Sequence, residues 1–440
     1  MLLVLALAGF FVVKAAIDAY LRSERFRTFL AHQAGATLRA ETEIAPLHFA
    51  TSSIYTEQVR ARGRADADFS GLQVDGLRAE LSWSRFFAHV WQVDQVDVQR
   101  LRIDLEGERA VGAPTDAAPT RSAPPSPSGR SGWLPNRVEI SAATVHEAQL
   151  TWAGGGLRGT ALQIKPADGG WSIEGAGGKI EHATLPALEV QRLALRYREP
   201  SLFVNNAEFR QGSSGSVSAT GEINFSERLD LHATLQNIAI TPYLAGDWRL
   251  RLKGDASGEI AVRCALPLRG PPEISGKIAL TNGQLEALPF LNQIADFTQT
   301  QQFRRLGLSR ATADFTQSGP RLTVRNLVAE SEGLIRIEGG FFSESDQIDG
   351  TFQVGVTPAS LQWLPGSQTR VFTESRGGYL WAPMRLTGPL ASPNEDLSSR
   401  LLVAAGGAVI EGVEKTVNDS AKTLKDAAKS ALDLFLAPPK

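Results

Sequence analysis

The sequence predicts a mostly-β protein, a long curled antiparallel sheet with few helices, and three observations predict it. Short runs of alternating apolar and polar residues recur from Glu43 almost to Val403, bounded by Gly, Asn and Pro. A strand start returns at irregular intervals: a small or polar residue, Gly, one variable residue, then an apolar alternation. It stands at Thr220-Gly221-Glu222-Ile223, Ser257-Gly258-Glu259-Ile260, Ser275-Gly276-Lys277-Ile278 and Asp349-Gly350-Thr351-Phe352. Only one internal stretch carries a helical period, so about twenty strands have a single helix to cover their apolar faces. Those faces must meet one another or a ligand. A closed sandwich or barrel is one solution, and a sheet curled into a trough around something apolar, such as acyl chains, is the other.

Met1 to Val13 is apolar without a break, and a helix continued to Leu21 reaches roughly 30 Å if Lys14 and Asp18 snorkel to the interface. Residues 1–21 are therefore expected to be an N-terminal transmembrane anchor. A cleaved signal peptide is the competing reading, and it would want a basic start and a small-residue cleavage site that this stretch does not clearly offer. Lys14, Arg22, Arg25 and Arg27 all follow the span, and the positive-inside rule applied to them alone places the following chain in the cytoplasm. Residues 22–35 form an expected linking helix with Phe26, Phe29 and Leu30 on one period, ending at Gly35.

Residues 36–107 are expected to be strands, among them Leu77-x-Ala79-x-Leu81-x-Trp83, and the apolar phase slips by one at Gln99-Arg100 as a bulge or tight bend would produce. Residues 108–133 hold Pro114, Pro119, Pro124, Pro125 and Pro127 among Ala, Ser and Gly, the composition of a disordered linker that interrupts the sheet. Strands fill residues 134–405 as the main β domain, broken by a helix from Leu288 to Leu306 with Phe290, Leu291, Ile294, Phe297 and Phe303 available for one face. Residues 406–440 carry an amphipathic helix with Ile410, Val413, Val417 and Leu424 on one stripe and lysines opposite. That helix either lies on a membrane or partner or packs on its own sheet.

A chain of 440 residues excludes a single small module, and a net charge of −2 leaves no electrostatic footprint for a nucleic-acid partner. Cys264 is the one cysteine, which excludes a disulfide scaffold; its alternation with Val262 and Leu266 makes it a small core residue. Gly154-Gly155-Gly156-Leu157-Arg158-Gly159 satisfies a G-x-G-x-x-G pattern, yet the following Thr160 to Pro166 is strand-like, so a hairpin is expected and not a phosphate cradle. The six histidines have no pair at metal-ligand spacing, and Asp346, Asp349, Glu395 and Asp396 lie at turns where solvated carboxylates are the rule. No catalytic residue, cofactor or metal ligand is predicted.

The chain resembles the AsmA-like envelope proteins over nearly its whole length. The likeness rests on the N-terminal apolar helix and on Leu72-Gln-Val-Asp-Gly-Leu77-Arg-Ala-Glu-Leu81-Ser-Trp83. It is strongest from Ile274 through Gly283, Leu285 and Leu291 to Phe303-Arg-Arg-Leu306, and in Leu322-Thr-Val324-Arg-Asn-Leu327 and Ile335-Arg-Ile337-Glu-Gly339. The resemblance implies an inner-membrane anchor, a periplasmic β-groove of the bridge-like lipid-transfer kind, and a part in phospholipid transport or outer-membrane biogenesis. Its implied partners are a phospholipid or other acyl-chain lipid, the inner membrane and other envelope proteins. Ile223, Phe225, Ile260, Val262, Ile278 and Leu280 fall at equivalent points of the repeated strand start and are expected to share one sheet face, the lipid-contacting one.

Overall fold

A computed structural model describes residues 23–404 apart from 51, 68, 83–89, 108–136, 184, 245, 247, 267–269, 287–290, 293–294, 296–300, 363–365 and 391–392. The expected anchor over 1–21, the proline-rich tract and the C-terminal helix over 406–440 lie outside the described residues, as do Phe290, Ile294 and Phe297. No described helix is long and apolar enough to cross a membrane. The chain is mostly β, as predicted, and divides into two units, Met1–Glu227 and Arg228–Lys440. That boundary falls inside the 134–405 stretch that the sequence groups together.

The first unit opens with helix α1, Glu24–Leu38, whose N-terminus is capped by the Ser23 hydroxyl accepting from the Phe26 N–H at 3.3 Å. It does not stop at Gly35. It runs on to Leu38, where Arg39 takes the left-handed conformation and its N–H closes on the Gly35 carbonyl. Gly35 is there for contact, since a β-carbon at this position would stand 2.7 Å from the Ala40 carbonyl oxygen. Phe26 packs its ring 6.0 Å from that of Trp91 and 6.4 Å from that of Phe49, so α1 seals one end of the sheet's apolar face together with Ile54.

The strands of this unit are β1 (Ala40–Ile44), β2 (Leu47–Ala50), β3 (Ser53–Gly63), β4 (Gly71–Ser82), β5 (Val90–Asp104), β6 (Arg137–Ile140), β7 (Ala143–Trp152), β8 (Gly155–Ala167), β9 (Gly170–Ala176), β10 (Lys179–His182), β11 (Leu185–Arg198), β12 (Ser201–Gln211) and β13 (Gly215–Asn224). Their pairing corrects two expectations. The sheet is not wholly antiparallel, because β5 pairs in parallel with β6 and then β7. Nor does the proline-rich tract interrupt it: Val96 to Asp104 pairs directly with Ala143 to Thr151. Both facts share a cause. A parallel neighbour needs a crossover of a dozen residues or more, and the chain between Asp104 and Arg137 supplies that length.

The phase slip at Gln99-Arg100 is a bend and not a register shift. Leu77 pairs with Val98 and Asp75 with Arg100, in one unbroken register on either side, and Val98 with Val145 and Arg100 with Glu147 likewise. The slip is shared by neighbouring strands at a line where Gly76 holds φ +63°, a value that a side chain there would strain. The bulge in β4–β5 sits elsewhere, at Glu80/Leu81.

The second unit is an antiparallel meander. It comprises β14 (Arg228–Ala239), β15 (Leu252–Ala265), β16 (Glu273–Glu286), β17 (Arg305–Leu308), β18 (Arg310–Ser318), β19 (Arg321–Ser331), β20 (Ile335–Glu344), β21 (Gln347–Val356), β22 (Glu374–Arg376), β23 (Tyr379–Pro389) and β24 (Asn394–Glu395). The helix expected to end at Leu306 ends earlier. Residues 291, 292 and 295 are helical, Gln301–Arg304 is a 3-10 turn, and Arg305–Leu308 is already strand, paired with Gly283 to Glu286. Strands also stop short of Val403. Pro358–Leu361, Ser367–Arg370 and residues 397–404 are helical and pack against the sheet.

Candidate functional site

Because directly opposed residues of neighbouring strands point to the same face, the register of the second unit can be followed as rows crossing β14, β15, β16, β18, β19, β20, β21 and β23. One row runs from Ile238 through Ala256, Leu280, Ala311, Ala329 and Ile337 to Val354 and Ala382. Four residues further along β15, a second row runs from Ala233 through Ile260, Gly276, Phe315, Val324 and Phe341 to Gly350 and Leu386. Every member of both rows is apolar or glycine. At about 4.8 Å per strand, each row measures roughly 34 Å along the sheet.

The opposite face has a different chemistry. Glu259, Lys277, Asp314 and Arg325 oppose one another in turn across β15, β16, β18 and β19, an alternation of charge that stabilises pairing while keeping this face in water. One side of the sheet is therefore wet and ionic, and the other is an apolar floor whose margin carries Gln317 and Ser343.

Burial along that floor divides it. Over β20, β21 and β23 it is sealed by Leu291, Phe303, Leu361, Phe372, Leu397 and Leu401, and Val354 beneath them is 0% exposed. Over β14, β15, β16 and β18 the residues Leu231, Leu235, Ile260, Val262, Ile278 and Phe315 are only half-buried, and none of them joins a buried core among the described residues. The backbone of β15, β16 and β18 is hydrogen-bonded along both edges, so the centre of this part of the floor offers apolar contact, with Cys264 and Gln317 at its margin.

The six residues singled out from the sequence are placed as follows. Ile260 and Val262 on β15 and Ile278 and Leu280 on β16 share the apolar face, since Gly258 opposes Ile278, Ile260 opposes Gly276 and Val262 opposes Ile274. Ile223 and Phe225 belong to the other unit. Ile223 opposes Leu202 on β12, whereas Phe225 lies past the end of β13, its N–H on the Pro200 carbonyl at 3.1 Å and its side chain 47% exposed. Sequence periodicity did not single out Phe315 or Phe341. Each opposes a glycine, Gly276 and Gly350 respectively; only the Phe341–Gly350 pair faces across a hairpin that the sequence could have signalled, because β17 and residues 287–304 lie between β16 and β18.

The remaining polar residues have local duties. Gly154 holds φ +71° in the β7–β8 hairpin, with strand and not helix following it. Cys264 opposes Leu229 and is half-buried on the same face as Val262. Asp349 pairs with Arg385 at 3.2 Å, Asp396 with Arg400 at 3.6 Å, and Glu395 accepts from the Ser398 N–H at 2.9 Å. No cluster of His, Cys, Asp or Glu among the described residues could hold a metal ion. Tyr379 donates to Glu330 at 3.0 Å, and burial first, then that carboxylate, raises the phenol above its usual range.

In the first unit Asp75 gathers Gln73 at 2.8 Å and Gln58 at 3.0 Å, with Arg100 and Arg102 near 4 Å. The Gln73 amide above all, with Gln58 and the two guanidinium groups, holds its carboxyl below the usual value against the opposing effect of partial burial. The network lies on the polar face beside the bend at Gly76 and braces strands β3, β4, β5 and β7. Set beside known proteins, the chain matches no protein-family model, no curated protein and no solved structure.

Proposed function

We propose that the protein is a membrane-anchored component of the cell envelope that shelters the acyl chains of phospholipids on the apolar face of its sheet. Its work is lipid transport between membranes or outer-membrane biogenesis. One observation supports this above the others: the apolar floor is sealed over β20, β21 and β23, whereas Leu231, Leu235, Ile260, Val262, Ile278 and Phe315 on β14, β15, β16 and β18 are only half-buried, beside the buried Ile238, Ala256 and Ala311. Apolar surface facing water is unfavourable by about 25 cal/mol per Å2, so a floor of this extent favours an apolar occupant. The groove form of the sheet, the inner-membrane anchor at residues 1–21 and the periplasmic side for the rest belong to the same reading, with the lipid bilayer as the first partner. The side chains named here contribute contact and no chemistry.

The test is extraction of the full-length protein followed by lipid mass spectrometry. Phospholipid bound at a stoichiometric level after delipidating washes is the expected result. Lipid at background level, with a sharp melting transition, overturns the reading and leaves a closed, protein-binding assembly factor in its place. A reporter fused after Lys440 tests the location, and activity of a reporter that works only in the cytoplasm would reject the periplasmic side.

A further inference from the structure

We propose that the hollow on the polar face of the first unit is a binding site for a neutral oligosaccharide, with Tyr55 as its stacking ring and Arg78, Glu80, Gln95, Asp97 and Gln99 as its hydroxyl contacts. The hollow holds about 680 Å3, a size typical of sites that take small ligands. The pairing register builds it from two neighbouring rows. His48 on β2, Tyr55 on β3, Arg78 on β4 and Asp97 on β5 oppose one another in turn. Beside them run Ser53, Glu80 and Gln95. Four strands at about 4.8 Å spacing make the longer row roughly 14 Å across. Gly76 opens one side of it: φ there is +63°, and a β-carbon would stand 2.8 Å from Cγ of Gln99, so the Gln99 side chain lies close over the glycine.

The ligand follows from which groups are already engaged. Gln95 is fixed by Thr144 at 2.9 Å and Asp97 by His146 at 2.9 Å, both partners on β7. The side chains of Arg78, Glu80 and Gln99 form no hydrogen bond or ion pair with any described residue, although Arg78 opposes Asp97. A guanidinium donor, a carboxylate acceptor and an amide that does both therefore stand unengaged in one hollow. An anion placed there meets Glu80 and Asp97, a cation meets Arg78, and an acyl chain strips water from all of them. A hydroxyl donates and accepts without carrying charge, so a polyol satisfies the three together. The Tyr55 ring, 40% exposed and 6.3 Å from that of His48, adds an apolar face to this polar wall. The C–H face of a pyranose carries the partial positive charge that the face of an aromatic ring attracts. This site stands apart from the lipid reading, whose half-buried floor belongs to the second unit.

Calorimetric titration of the full chain in phosphatidylcholine nanodiscs, with tetra-N-acetylchitotetraose and maltotetraose as probes, tests the site. At least one probe is expected to bind. Tyr55→Ala is expected to weaken it at least tenfold, Tyr55→Phe less than threefold, and Arg78→Gln and Glu80→Gln at least fivefold each, all with unchanged melting curves and unchanged bound phospholipid. Binding of neither probe at up to about 10 mM, or unchanged affinity in Tyr55→Ala, overturns the proposal and leaves the lipid reading standing. Tighter binding of dextran sulfate than of neutral dextran also overturns it, since the hollow would then select charge. A glycolipid headgroup presents the same pyranose, so nanodiscs doped with monogalactosyl diacylglycerol are titrated alongside: competition with the soluble probe assigns the site to headgroups, and its absence assigns the site to a soluble chain. Should Tyr55→Ala not fold, the wild type supplies the readout. The pyranose protons of the bound probe are expected to move upfield in the NMR spectrum under the Tyr55 ring current, and unshifted protons in saturated protein overturn the site.

Discussion

The Arg100 guanidinium donates from Nε to Glu147 at 3.1 Å across the one parallel seam of the described sheet, joining strands that the proline-rich tract separates in sequence. Two further links cross the same seam: Gln95 to Thr144 at 2.9 Å and His146 to Asp97 at 2.9 Å. The seam is held by backbone pairing and side chains together, so the covalent connection is not what keeps β5 beside β7.

Limited proteolysis is therefore expected to cut first between Ala110 and Gly132, where proline, serine and alanine predominate, and to leave the two fragments together on a sizing column. The pairing of Val96–Asp104 with Ala143–Thr151 supplies the adhesion. Fragments that separate without denaturant would show that the seam depends on its connection.

Two substitutions on the one apolar face should differ in kind. Val354→Asp places a carboxylate in a fully sealed core and should cost several kcal/mol, comparable with the stability of a whole domain. Ile278→Asp enters a half-buried position where water can reach it, and should cost less than about 2 kcal/mol while abolishing bound lipid. Thermal melts of both variants beside lipid quantification check this. Equal destabilisation would mean that the floor over β16 is closed.

Acid should weaken the bend in the first unit. The Asp75 carboxyl is held below its usual value in the folded chain, so its contribution is full above the ordinary aspartate value near 3.9 and is lost as the pH falls through the lower folded value. Asp75→Asn should lower stability by about 1 kcal/mol at pH 7, with the difference from wild type shrinking below pH 4. Denaturant melts at pH 7 and pH 3 measure it, and an undiminished difference at pH 3 would assign the effect to packing.

Cys264 provides a native reporter, since it opposes Leu229 on the face that carries Val262 and is half-buried there. Alkylation of its thiol by a maleimide is expected to slow at least threefold when lipid is bound relative to delipidated protein. An unchanged rate in stoichiometrically loaded protein would place the lipid away from the β14–β15 end of the floor.

The sequence by itself determined that the chain is mostly β and which face of each strand is apolar, because a period of two is a local property that side chains declare residue by residue. It also placed Ile260, Val262, Ile278 and Leu280 on one face, since their repeated strand starts put them in equal phase and the pairing of β15 with β16 preserves it. Tertiary structure alone decided the parallel seam, because the proline-rich tract states its length but not which strand the returning chain will join. It also decided that Arg305–Leu308 is strand and not the end of a helix, since Glu286 supplies a partner edge that outweighs the helical period of the preceding residues. The division of the floor into sealed and half-buried parts depends on Phe303, Phe372 and Leu401, which lie far apart in sequence and join one core with Val354 only in the folded chain. An apolar alternation shows that a face will be hidden from water, and only the packing of distant segments determines whether protein does the hiding.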